Sequence, residues 1–186
     1  MQDLPEPYLS SLYGAGLFIH FFLIFLGISL AVGTIAHLLN AIGLSAMAKH
    51  RNIPGAALSW IPILGIVYMT GAVADHQAGK DPKLRYWLTG AMLVLLVIWV
   101  VLILKMLSLE FVGNGSAPEH AFLVTLGLFL IIGLPFTCAW HIAHFRIFKA
   151  CQRENRVVFL LLSIVLGISP VLVFALRHYV NGQRIV

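Results

Sequence analysis

Residues 53–74 read IPGAALSWIPILGIVYMTGAVA, and the fold turns on how that stretch is taken. It is apolar enough for a bilayer, yet Pro62 stands near its middle and Gly55, Gly65 and Gly71 interrupt it. A proline inside a helix removes one backbone bond and clashes with the preceding turn. Both flanks are basic: Lys49 and Arg51 precede the stretch, and Lys80, Lys83 and Arg85 follow it. Cytoplasmic loops collect Lys and Arg, so a spanning helix normally separates a basic flank from a less basic one. Two basic flanks predict a segment that enters and leaves on one side.

Working outward, composition sets the class. The chain is 60% hydrophobic and 10% charged, whereas a soluble domain carries about 25% charged residues. The sequence therefore predicts an all-α integral membrane protein, with one membrane domain covering residues 1–186. The net charge of +5 is spread beside the apolar runs and forms no separate basic domain. Those residues read as topology determinants and as contacts for anionic lipid headgroups, not as a nucleic-acid surface. The N-terminal MQDLPEPYLSS carries Asp3 and Glu6 without Lys or Arg, unlike the basic opening of a signal peptide. Cys138 and Cys151, on one helix, would stand about 20 Å apart by the helical rise, too far for a disulfide.

Five apolar segments follow in order. The first is Leu12 to Ala36, with further helix expected towards Asn52. The second is the broken stretch 53–74, followed by the polar linker ADHQAGKDPKLRYW, in which Asp81-Pro82 marks a turn or helix start. Trp87 to Leu107 is the cleanest span, with Lys105 close enough to its end to snorkel. The loop Glu110 to His120 holds the turn-formers Gly113, Asn114, Gly115 and Pro118. Ala121 to Phe145 carries Pro135, where a kink is expected. Val157 to Leu176 is broken again, by Gly167 and Pro170.

Three to five of these segments would be membrane helices. If the two Pro/Gly-broken ones are re-entrant, every Lys and Arg outside the spans falls on one side, and the acidic N-terminus with Glu110 and Glu119 falls on the other. If all five span, the basic residues divide between the two sides. The one-sided partition favours the re-entrant reading, with basic loops cytoplasmic in an inner membrane and the N-terminus opposite. The two broken segments also align as a weak tandem repeat, within units of about 12–76 and 121–178. Arg51 pairs with Arg153, Leu64-Gly65-Ile66 with Leu166-Gly167-Ile168, and His76 with His178.

Chemistry in such a chain must come from polar residues within apolar runs. Candidates are His20 and His37 on the first segment and Cys138, His141 and His144 on the fourth. The last three lie at i, i+3 and i+6, on one broad helix face. His37 with His141 or His144 could ligate a b-type haem from two helices, and Cys138, His141 and His144 could hold copper or zinc. The plainer reading is that these histidines hydrogen-bond neighbouring helices or the headgroup layer, with no cofactor. No carboxylate lies deep in a span, and Asp75-His76, at the end of the second segment, forms an acid–His neighbour pair. No nucleophile elbow, H-E-x-x-H or phosphate loop occurs. Ser59 and Ser169 read as partners for backbone groups freed by Pro62 and Pro170. The small-residue faces Gly27-x-x-x-Ala31 and Ser29-x-x-x-Gly33 suit close helix packing.

The pattern NIPGAALSWIPILGIVYMTGAVAD, with the later SIVLGISPVLVFALRH, resembles a loose group of small bacterial multi-pass membrane proteins of unknown function. That resemblance implies no activity. The expectation is a non-catalytic multi-pass protein, either an accessory or assembly subunit of a membrane complex or a small transporter-like unit. Its partners would be the bilayer and other membrane subunits or further copies of itself. The alternative from another class is the haem- or metal-binding redox protein.

Overall fold

The computed structural model describes residues 6–79, 83–112, 118–180 and 183–184. The helices are α1 (Glu6–His50), a 3-10 helix (Ala56–Trp60), α2 (Leu64–Ala78), α3 (Lys83–Val112), α4 (Pro118–Cys151), α5 (Arg156–Leu166) and α6 (Ser169–Ala175). A two-residue antiparallel pairing of β1 (Tyr179–Val180) with β2 (Gln183–Arg184) is the small exception to an all-helical chain. Three helical stretches are long and apolar enough to cross a membrane: His20–His50, Lys83–Leu104 and Leu126–Cys151. They correspond to the first, third and fourth apolar segments. The second and fifth are each divided into two short pieces.

By its contacts the chain forms two compact units, Met1–Leu38 and Leu39–Val186, with the boundary inside α1. In the first unit every residue from Phe21 to Ile35 is exposed. Thr34 bonds back to the Leu30 carbonyl at 2.8 Å, so its hydroxyl is satisfied within its own turn. A Cβ added at Gly27 or Gly33 would meet nothing within 4 Å, so the small-residue faces stay open.

In the second unit α2 is the centre. Residues 65–67 and 69–75 are buried without a break, so every face of the helix is covered. A helix apolar all round belongs inside a structure rather than on its surface. Around it pack Leu44, Met47, Leu88, Ile147 and Phe148, all fully buried.

The two broken segments are hairpins that start and finish at the same end of this unit. The first leaves α1 after His50. At its 3-10 helix the Ser59 hydroxyl lies 3.1 Å from the Ala41 carbonyl oxygen and 2.8 Å from that of Ala56. Ala41 is ten residues before Arg51, about 15 Å along the helix. There the chain reverses: the Leu64 N–H donates to the Pro62 carbonyl at 2.7 Å, around Ile63 at φ 62 and ψ −75. This is the tight γ-turn, a strained conformation for a β-branched residue. Gly65 lies where a Cβ would fall on the Leu58 carbonyl oxygen, so a side chain there would block the return limb. Helix α2 then runs back until Gln77, its amide oxygen turned to the guanidinium, accepts from Arg51.

The second hairpin leaves α4 after Cys151. It turns at Gly167, whose φ of 64 suits a residue without Cβ. Pro170 sits in the first turn of α6, where a proline starts a helix well, so it is not the breaker the sequence made it. The limb ends beside its origin, with the Tyr179 carbonyl oxygen 3.7 Å from Cys151 Sγ. A Cβ at Gly43 of α1 would come within 2.9 Å of Val173, so α6 lies directly on that helix. The two hinges are not equivalent in the repeat alignment: Ile63 pairs with Val165, whereas Gly167 pairs with Gly65, inside α2.

Two boundaries differ from expectation. Asp75–Ala78 and Lys83–Trp87, read as linker, are helical ends of α2 and α3. Pro135 lies within an uninterrupted α4. The turns predicted at Asp81-Pro82 and Gly113–Gly115 fall outside the described residues.

Candidate functional site

Polar side chains in the second unit gather where the hairpins begin and end. Arg51 is the hub, 7% exposed. Its guanidinium donates to the Met47 carbonyl at 3.2 Å and to the Tyr179 carbonyl at 3.0 Å. It also donates to Gln77, and it stands 3.6 Å from Cys151 Sγ. One planar fork of five N–H donors thus joins the ends of α1, α2 and α4 to the C-terminal strand. Its partners are neutral oxygens and a thiol; the ion pair found among the described residues involves a different arginine. Beside this hub the rings of His50 and His178 lie 6.1 Å apart.

Asp75, 4% exposed, closes the neighbouring junction. One carboxylate oxygen accepts the Arg85 backbone N–H at 3.0 Å, and the other lies 3.5 Å from the Arg146 guanidinium. Arg85 is the third residue of α3, so Asp75 fills from another helix the role of an N-cap, with its charge at the favourable end of the dipole. The Arg85 guanidinium covers the rings of Tyr68 at 5.7 Å and Tyr86 at 4.7 Å. His76, beside Asp75 in sequence, is exposed. The acid–His neighbours therefore separate, with the acid serving as a joint.

His144 of α4 sits in a row of aromatic rings. Ring centroids run Phe136 to Trp140 at 6.1 Å, Trp140 to His144 at 4.7 Å and His144 to Phe148 at 5.9 Å. His144 is 1% exposed, and its Nδ1 lies 2.9 Å from the Trp140 carbonyl, which assigns the proton to Nδ1. That leaves His144 Nε2 as a buried acceptor without a partner, and His141 Nδ1 is likewise buried and unpartnered. Cys138 is exposed. Both cysteines are free thiols, as their spacing required. His37 belongs to the first unit and is half-buried there, and His20 is exposed. Among the described residues no three His, Cys, Asp or Glu side chains are grouped so that they could hold a metal ion.

Sequence reasoning passed over Arg51, Gln77 and Tyr179. Nothing in the sequence distinguishes Arg51 from the other flanking cations, because its burial depends on residues far along the chain. Ser59 was expected to serve groups freed by Pro62; it lies instead against Ala41, where it fixes the descending limb to α1. Compared with family models, curated proteins and solved structures, the chain shows no significant match to any of them.

Proposed function

We propose that this chain is a non-catalytic multi-pass membrane protein, an accessory or assembly subunit of a larger membrane complex. Three helices cross the bilayer, and two re-entrant hairpins dip from the basic side to about half its depth. One observation carries the topology: Arg51 touches Gln77, Cys151 and Tyr179, so the first broken segment ends beside Arg51, where it began, and the second ends beside Cys151, where it began. A segment that crossed would part its ends by about 30 Å, the thickness of the hydrocarbon. The return limb α2 is enclosed by protein on every side, as suits a helix apolar all round.

The assembly role rests on how the polar groups are spent. Arg51, Asp75, Ser59 and Arg146 are each engaged in holding one element to another, which favours a scaffold over a small transporter. The first unit meanwhile presents an apolar, small-residue helix surface from Phe21 to Ile35. That surface suits another membrane helix, from a partner subunit or a second copy.

Topology is tested with His50→Cys and Gly79→Cys, each in a protein lacking Cys138 and Cys151. In intact cells both should be equally shielded from an impermeant thiol reagent; labelling of one alone would establish that segment 53–74 crosses. Assembly is tested with a photoreactive amino acid at Phe25 or Ile28: protein adducts of defined mass are expected, and lipid adducts alone would refute the role.

The buried nitrogens of His144 and His141 favour one second reading, a b-type haem or a copper or zinc ion bound through these imidazoles. A Soret band or stoichiometric metal in purified protein, lost in His144→Ala and kept in His20→Ala, would establish it.

A further inference from the structure

We propose that a groove between α3 and α4 holds one hydrocarbon chain of a bilayer lipid. This rests on the membrane reading above and adds a ligand to it.

The groove exists because α2 is short. Asp75 is level with Arg85, and from there α2 reaches back to Leu64, about 16 Å by helical rise. From the same level α3 continues to Leu104, about 28 Å. By the same rise Leu64 stands level with Leu96, so the groove begins beside the end of α2 and continues past it. Ile63, at the hairpin tip, forms the floor of the space, and Leu95, Leu96 and Trp99 face Phe129 and Gly133 across it. The volume is about 550 Å³.

Its chemistry excludes a polar occupant. The lining side chains are hydrocarbon apart from the Trp99 indole N–H and Thr137, whose hydroxyl already donates to the Gly133 carbonyl at 2.8 Å. The arginines and Asp75 lie at the opposite end of α2. Nothing in the groove recognises a headgroup, so selection falls on the chain. A helix is too broad to be enclosed by it: a cylinder 10 Å across would use up this volume in about 7 Å of length. An acyl chain is slimmer and can follow the groove. Gly133 points the same way. A Cβ there would meet only the Phe129 ring, at 3.8 Å, an ordinary contact. The protein's own packing does not demand a glycine at that place, whereas an occupant gains width from it. An unfilled groove would leave its walls without dispersion partners.

The test uses full-length protein in phosphatidylcholine vesicles containing a phosphatidylcholine with a mid-chain diazirine, with adducts mapped by mass spectrometry after irradiation. Adducts should concentrate in peptides covering 92–99 and 129–137, and Gly133→Leu should lower their yield there about tenfold, equivalent to about 1.4 kcal/mol. Gly90→Leu, which adds the same side chain where nothing lies within 4 Å, should leave the yield unchanged. Replacing the headgroup by phosphatidylglycerol should change nothing; a strong dependence would refute recognition by the chain. Adducts spread evenly over all exposed helix faces would reduce the groove to ordinary solvating lipid and overturn the proposal. Should Gly133→Leu fail to fold, quenching by brominated acyl chains decides. The Trp99 component, taken as wild type minus Trp99→Phe, should saturate at a lower brominated fraction than bulk mixing gives, and parity with bulk would refute the site. Failure of the membrane reading would look different: alkaline carbonate would release the protein, with adducts nowhere.

Discussion

Replacing Arg51 by alanine should cost the second unit more than the loss of any other cation. Three neutral acceptors, the carbonyls of Met47 and Tyr179 and the Gln77 amide, would lose a charged donor at one stroke. Hydrogen bonds to a charged group contribute about 1.5–3 kcal/mol each, less when they share one donor, and buried acceptors left bare add their own penalty. The sum is on the order of 3–5 kcal/mol, against which burial of the guanidinium sets a cost that the alanine removes. A net loss of about 3 kcal/mol follows, more than a hundredfold in the folding equilibrium. Arg51→Lys should fall between, because one ammonium cannot reach acceptors on four elements. Arg153→Ala, the exposed counterpart in the repeat alignment, should change stability by less than about 0.5 kcal/mol. The measurement is SDS-driven unfolding in mixed micelles followed by far-ultraviolet circular dichroism. A second readout is maleimide labelling of Cys151 in a Cys138→Ser protein, since Cys151 is fully buried beside Arg51. Equal midpoints for Arg51→Ala and Arg153→Ala would refute the view that Arg51 ties both hairpins to the bundle.

Gly65→Ala should abolish most folded yield, because its Cβ would fall on the Leu58 carbonyl; Gly27→Ala, in open space, should be neutral or stabilise by up to about 1 kcal/mol. Fluorescence-detected size exclusion separates the two, and a well-folded Gly65→Ala would contradict the hairpin crossing. Ile63→Gly should raise the melting temperature, since it relieves a positive φ worth on the order of 1–2 kcal/mol and forfeits little burial in a half-exposed side chain; a lower melting temperature would show that the tip is held by the isoleucine. Asp75→Asn keeps an acceptor for the Arg85 N–H and should cost about 1 kcal/mol, whereas Asp75→Ala leaves that N–H bare and should cost about 2 kcal/mol or more. Equal melting curves for the two variants would remove Asp75 from its capping role.

How much of this was legible in the sequence follows from which forces act locally. Long apolar runs marked five segments, three of which are helices long enough to span, and Pro62, Gly65 and Gly167 marked the other two as broken. Each of those signals belongs to a residue and its near neighbours. The destinations of the hairpins were not legible in that way. Basic flanks at both ends implied a return to one side, but only the tertiary structure brought Gln77, Cys151 and Tyr179, 26 to 128 residues from Arg51, around one guanidinium. It likewise turned Asp75 from half of an acid–His pair into the cap of another helix, and left His144 with a buried, unpartnered nitrogen. Hydrophobic periodicity and backbone preference are written along the chain; burial of a polar group depends on which distant segments close over it, and that is settled only when the elements pack.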